Sequence, residues 1–129
     1  MAEREEIRVP ELAEPISHYT DAVRAGDLLF VSGCVPVDER GELVGGGDVV
    51  AQARQVFTNV ATVLAAVGAG FGDVVKVTLY LTDVADRTRI NPVREEVFGE
   101  ARPASTLVEV SQLAVPGARL EVEAVALLP

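Results

Sequence analysis

Residues 119–127, RLEVEAVAL, alternate so regularly that they read as one thing, a strand with two different faces. Leu120, Val122, Ala124 and Ala126 share one side, and Glu121, Glu123, Val125 and Leu127 share the other. A second strand precedes it at residues 105–110, where Thr106, Val108 and Val110 alternate with Ser105, Leu107 and Glu109. Pro116-Gly117 marks a turn between them. Glu123 is then a carboxylate on a face that becomes apolar two residues later. Such an acid either meets water at an edge or is held in a pocket, and the pattern alone leaves both open. In a pocket its pKa rises and it suits general acid–base work.

Upstream, two units of strand and helix lead into this closing pair. The chain opens with an irregular arm, residues 1–14, where Pro10 and the following Pro15 discourage regular structure. Residues 18–24 read as a strand, Ala25-Gly26-Asp27 as a tight turn, and residues 28–32 (LLFVS) as a short buried strand. Gly33, Pro36 and Gly41 punctuate a loop. Gly45-Gly46-Gly47 lacks the Lys-Ser/Thr and the spacing of a phosphate cradle, so it reads as a loop before a helix. Asp48 is placed to cap that helix, residues 49–67. Its apolar stripe is Val49, Ala53, Val56, Val60, Val63 and Val67, widened by Phe57 and Leu64. Gln52, Arg54, Gln55 and Asn59 fall on the wetter side. Gly68 and Gly70 end it. Residues 74–81 (VVKVTLYL) form a strand with Val75, Val77, Leu79 and Leu81 on one face. Residues 83–99 read as a second helix, either starting near Asn91-Pro92 or kinked at Pro92.

The order β-β-α-β-α-β-β is an α+β pattern in a single domain. Two helices cover one face of such a sheet. The strands are apolar on both sides, so the other face is expected to be covered by further copies of the chain.

Charge narrows the choice of partner. The net charge of −9 argues against nucleic acid, whose binding is driven by Lys and Arg. No stretch approaches the ~18 apolar residues of a membrane span, and the charged start lacks an apolar signal core, so a cytoplasmic location is expected. Cys34 is the only cysteine, which excludes an intramolecular disulfide. It reads as a small buried hydrophobe rather than a nucleophile. His18 is the only histidine and reads as a surface or strand residue. No metal-ligand spacing is present, and no metal or organic cofactor is expected. Tyr19 and Asn91 are candidate hydrogen-bond donors to a small ligand.

Four segments together, VSGCVP after the Ala-Gly-Asp turn, AQARQVFTNVATVLAAVG, DVVKVTLYLTDVAD and RPAST-VEV with P-ARLEVEAVA, resemble the Rid/YjgF family of reactive intermediate deaminases. The resemblance runs from about Pro15 to the end. It implies a chorismate-mutase-like fold and a homotrimer with small-molecule sites in clefts between subunits. It also implies cofactor-independent hydrolysis of imines and enamines, such as 2-aminoacrylate, to ketoacids and ammonia. By resemblance Tyr19 and Glu123 are catalytic, with Glu123 activating or placing water. Asn91 binds substrate, and Ser32, Gly33 and Cys34 line the cleft.

One departure bears on substrate choice. Deaminating members carry an Arg that forks onto the substrate carboxylate where this chain has Ser105, and often a Cys where it has Leu107. A hydroxyl cannot replace a planar, bidentate cation. Its loss is expected to cost about 2–4 kcal/mol, about 30- to 1000-fold in binding. Arg102, three residues back along an extended chain, is expected about 10 Å away on the opposite face. Simple amino-acid-derived substrates are therefore not expected. The rival reading is a ligand-binding or chaperone-like trimer without catalysis. Some family members are described as endoribonucleases, which the −9 charge and few aromatics disfavour here.

Overall fold

A computed structural model describes residues 3–129. Its elements run β1 (Arg4–Ile7), β2 (Ala22–Ala25), β3 (Leu28–Cys34), α1 (Val49–Ala66), β4 (Val74–Leu81), α2 (Arg87–Phe98), β5 (Ala104–Glu109) and β6 (Leu120–Leu127), with short 3-10 turns before β4 and α2. One six-stranded sheet has the order β1-β2-β3-β6-β4-β5. Only β4 and β5 pair in parallel, joined by α2. The central strand pairs, β6 with β3 and with β4, are antiparallel.

The closing strand is at the centre of this sheet, and its alternation is fully expressed. Leu120, Val122, Ala124 and Ala126 are buried. They pack with Leu29, Val31, Val77, Leu79 and Leu81 against Val56, Phe57, Val60, Val63 and Leu64 of α1 and Ile90 and Val93 of α2. Phe57, Phe71 and Phe98 meet edge to face, with centroids 5.2–6.3 Å apart, and fix α2 against α1. The helices thus cover one face. On the other, Leu28, Phe30 and Leu127 are 37%, 46% and 51% exposed.

Several expectations are corrected. The arm contains a strand, because Arg4–Ile7 pairs antiparallel with β2 at the sheet edge, before Pro10 can interfere. The stretch expected as a strand from residue 18 is regular only over Ala22–Ala25. Val75 does not join Val77, Leu79 and Leu81. A bulge between Val74 and Lys76 turns Val74 inward and leaves Val75 45% exposed. Of the two alternatives left open for α2, the start near Asn91-Pro92 is excluded: the helix begins at Arg87 and Pro92 sits inside it. Thr88 and Pro92 are both exposed, so water can reach the carbonyl that the proline leaves without its helical donor.

On α1, Asp48 caps as expected, its side chain accepting from Val50 N and Ala51 N. Gly68 carries φ +74° just past the end, and Ala69 N donates to Leu64 O, closing the helix. Gln52 and Asn59 are not wet, however. Gln52 is fully buried, donating to Gly46 O and Gly117 O and accepting from Arg119 N. Asn59 donates to Val35 O and Val37 O. Both satisfy loop backbone that packs over the helix. The triple glycine is a plain loop. Gly45 has φ +81°, and a Cβ there would press on Ala51 and the α1 backbone.

Candidate active site

The start of β6 is held by its polar neighbours. The buried Asp86, before α2, bonds Arg119 Nη2 at 2.7 Å, and Arg89 Nη1 lies at 3.3 Å. With the Gln52 bond to Arg119 N, this anchors the chain two residues before Glu121.

Glu121 points to Gly33. The ladder between β3 and β6 shifts register between Val31 and Cys34, and the Glu121 carboxylate occupies the room left there. A Cβ on Gly33 would overlap that carboxylate, with Cδ only 2.8 Å away, so any side chain there would displace Glu121 from this position. Glu121, Gly33, Ser32, Tyr19 and Val115 line an open cleft of about 300 Å³. Glu121 is its only acid. Burial first, then the nearby Glu123 charge, pushes the Glu121 carboxyl above its usual range. Ser32 Oγ donates to Thr20 O at 2.6 Å. Tyr19 is 48% exposed, and its hydroxyl is within 3.4 Å of Ile16 N, leaving it accessible.

A smaller cavity of about 90 Å³ adjoins, lined by Cys34, Asn59 and Val63 as well as Tyr19 and Gly33. Cys34 is buried, and burial, with the Asp21 and Glu121 charges, pushes its thiol up to about 12. It is therefore a neutral wall at physiological pH, not a nucleophile. His18 is exposed on the loop before β2.

Glu123 is not part of this group. It is exposed on the same face as Glu121 but lies outside the cleft, where Tyr80 Oη donates to its Oε1 at 2.5 Å. That bond, together with burial and the two glutamate charges, raises the Tyr80 pKa. The resemblance pointed to Glu123 for this position, and the structure has Glu121 lining the cleft instead. The signal that separates them is the irregularity at Gly33, which strict alternation does not show.

Asn91, Ser105 and Leu107 lie elsewhere. Three strand spacings, about 14 Å, separate β3 from β5 across the sheet. Asn91 Nδ2 donates to Glu95 Oε1 at 2.9 Å on the exposed face of α2. Leu107 packs partly buried against the core. Ser105 Oγ accepts from Arg94 Nη2 at 2.8 Å. A second cleft, about 510 Å³, is lined by Asn91, Arg94, Glu95 and Arg102. Arg102 precedes β5, so strand alternation does not direct it, and it shares the cleft with Arg94. Sequence reading missed Arg94, whose place on α2 gives no hint that it reaches β5. Among the described residues no cluster of His, Cys, Asp or Glu is suited to a metal ion, and no helix is long and apolar enough to cross a membrane.

A mixed sheet with two helices on one face, and an acid, a tyrosine and a glycine at one end of it, defines a class. The Endoribonuclease L-PSP family model matches residues 10–128, and the chain belongs to this family, the Rid/YjgF family. A RutC family protein of Pyrococcus horikoshii is 42% identical over 95% of this chain and 97% of its own. The 3-aminoacrylate deaminase RutC of Acinetobacter baylyi is 38% identical over 94% and 96%. A solved Rid family protein of Yersinia pestis, YyfA, superposes with TM-score 0.92 at 30% identity, covering 98% of this chain and 100% of that one.

Proposed function

We propose that this chain hydrolyses small imines or enamines to a carbonyl compound and ammonia, at sites shared between subunits of a homotrimer. The observation that carries the chemistry is Glu121, the single acid of the Tyr19–Gly33 cleft, with its carboxyl pKa raised by burial. Water adds to the C=N carbon of the protonated imine while the Glu121 carboxylate takes its proton, giving a neutral carbinolamine. Glu121 returns that proton to nitrogen, and as the C–N bond breaks the carbinolamine hydroxyl gives its own proton to the Glu121 carboxylate, so that C=O forms and ammonia leaves. An enamine is first protonated on carbon to give the imine. Tyr19 donates to the substrate. No step needs a metal or an organic cofactor. Glu121 thus takes the role expected of Glu123, which the Tyr80 hydroxyl holds outside the cleft.

The trimer is supported by two separate observations. The sheet face opposite the helices exposes Leu28, Phe30 and Leu127. Within one chain, Asn91 and Ser105 line neither of the cavities that Tyr19 and Gly33 line, and the strand of Ser105 lies two strand spacings, about 10 Å, from β6. Packing the open faces together covers the apolar side chains and lets one chain's α2–β5 edge approach another's cleft. The A. baylyi relative's described activity, 3-aminoacrylate deamination, is of the same reaction class. The acidic surface supports a small metabolite, not nucleic acid, as partner.

The test is ammonia release from 2-aminoacrylate generated in situ. Wild type is expected to accelerate it, and Glu121→Gln to lose about 100-fold or more of the acceleration. Saturable metabolite binding with no acceleration for any imine or enamine would instead favour a non-catalytic binding trimer.

A further inference from the structure

Arg94 is an unusual cation for this surface. Most arginines of the chain are paired: Arg4 with Glu6, Arg8 with Asp21, Arg40 with Glu42, Arg54 with Glu96, and Arg89 and Arg119 with Asp86. Arg94 is partly buried, yet among the described residues no carboxylate lies within salt-bridge distance of it. Its one described hydrogen bond is to the neutral Ser105 hydroxyl. A guanidinium carries five N–H donors, so most of the fork is uncommitted. Burial lowers its pKa, but arginine stays charged at physiological pH. Arg102 lines the same cleft, and the one acid there, Glu95, already accepts from Asn91. The cleft therefore holds two cations against one anion.

We propose that Arg94, oriented by Ser105, is the anion-recognition residue of the site and selects substrates bearing a carboxylate. The proposal rests on the hydrolase reading above and names its substrate class. Ser105 is then not a vacancy. Its hydroxyl accepts one guanidinium N–H and holds the planar group, so that the remaining donors are free to fork onto a carboxylate. Simple 2-imino and enamino acids, which Ser105 taken alone disfavours, fall within reach.

Calorimetric titration of wild type and variants with pyruvate, the product expected from 2-aminoacrylate, and with its neutral amide tests this. Wild type is expected to bind pyruvate more tightly than the amide. Arg94→Ala is expected to weaken pyruvate binding about 10- to 100-fold and leave the amide within about threefold. Arg94→Lys should restore part of the loss, because it returns the charge without the fork. Ser105→Ala should weaken pyruvate a few-fold. Retained pyruvate binding in Arg94→Ala, equal loss of both ligands, or a wild type that does not prefer pyruvate overturns the proposal. So does pyruvate binding that appears only in Ser105→Arg, which would show the anion position to be empty in this chain. The hydrolase reading is judged apart, by ammonia release. Arg94-dependent pyruvate binding without turnover would leave the anion subsite standing and remove the hydrolysis.

Discussion

Glu121 and Glu123 project from the same face of β6, two residues apart, and their surroundings separate them. One carboxylate lies over Gly33 in a cleft, and the other accepts from Tyr80 in the open. Burial is the larger cause of the raised Glu121 pKa and the Glu123 charge the smaller. Replacing Glu123 with Gln should therefore lower the Glu121 titration midpoint, but not return it to an ordinary value, as read by carbon-detected NMR of the side-chain carboxyls. Turnover should persist within about tenfold in that variant. The sign for stability follows from proton counts. The folded state holds the Glu121 proton to higher pH than the unfolded chain does, so this contribution is present below the ordinary value of 4.5. It is lost as pH rises through the folded value. In Glu121→Gln that slope of urea-derived stability against pH should flatten. A variant with the wild-type slope would show that Glu121 is not the group titrating.

At the scale of elements, what the sequence showed and what it hid have physical reasons. The alternation of β6 and the stripe of α1 were legible because a half-buried strand and an amphipathic helix write their burial into period. Asp48 and Gly68 were legible because caps need particular residues. β1 was not, since REEI is polar and forms a strand only by pairing with β2. Gln52 and Asn59 look solvent-facing by type, but three of the groups they bond are loop carbonyls far along the chain, beyond any local pattern. The bulges beside Val75 and Gly33 are likewise contributions of the partner strand. The site was legible in part for the same reason. Tyr19 and Gly33, grouped by resemblance, line one cleft, while the places of Glu121 and Arg94 depend on a register shift and on a helix-to-strand contact. If Gln52 serves the loops as described, Gln52→Ala should cost about 2–3 kcal/mol, because it orphans buried backbone groups around Gly117 and Arg119. Chemical denaturation would show this as a lower midpoint at constant slope. An effect below about 0.5 kcal/mol would mean that water replaces the side chain.

For the whole molecule, the open sheet face and the separation of Asn91 and Ser105 from the Glu121 cleft are what support the proposed trimer. Phe30 is at the centre of the exposed apolar group, opposite Val125 on β6. Phe30→Lys should give a folded monomer by sedimentation that lacks turnover, because it separates the two halves of each site. A wild-type monomer in solution would remove the arrangement altogether. The central claim is that Glu121 of one subunit works with Asn91 of another, and subunit mixing tests it most directly. Glu121→Gln and Asn91→Ala, each expected to be nearly inactive alone, would be co-expressed with different tags and purified as mixed trimers. Recovery of about a third of the wild-type ammonia release is predicted, because every mixed trimer has one interface in three that unites two intact halves. Mixed trimers no more active than the single variants would contradict it.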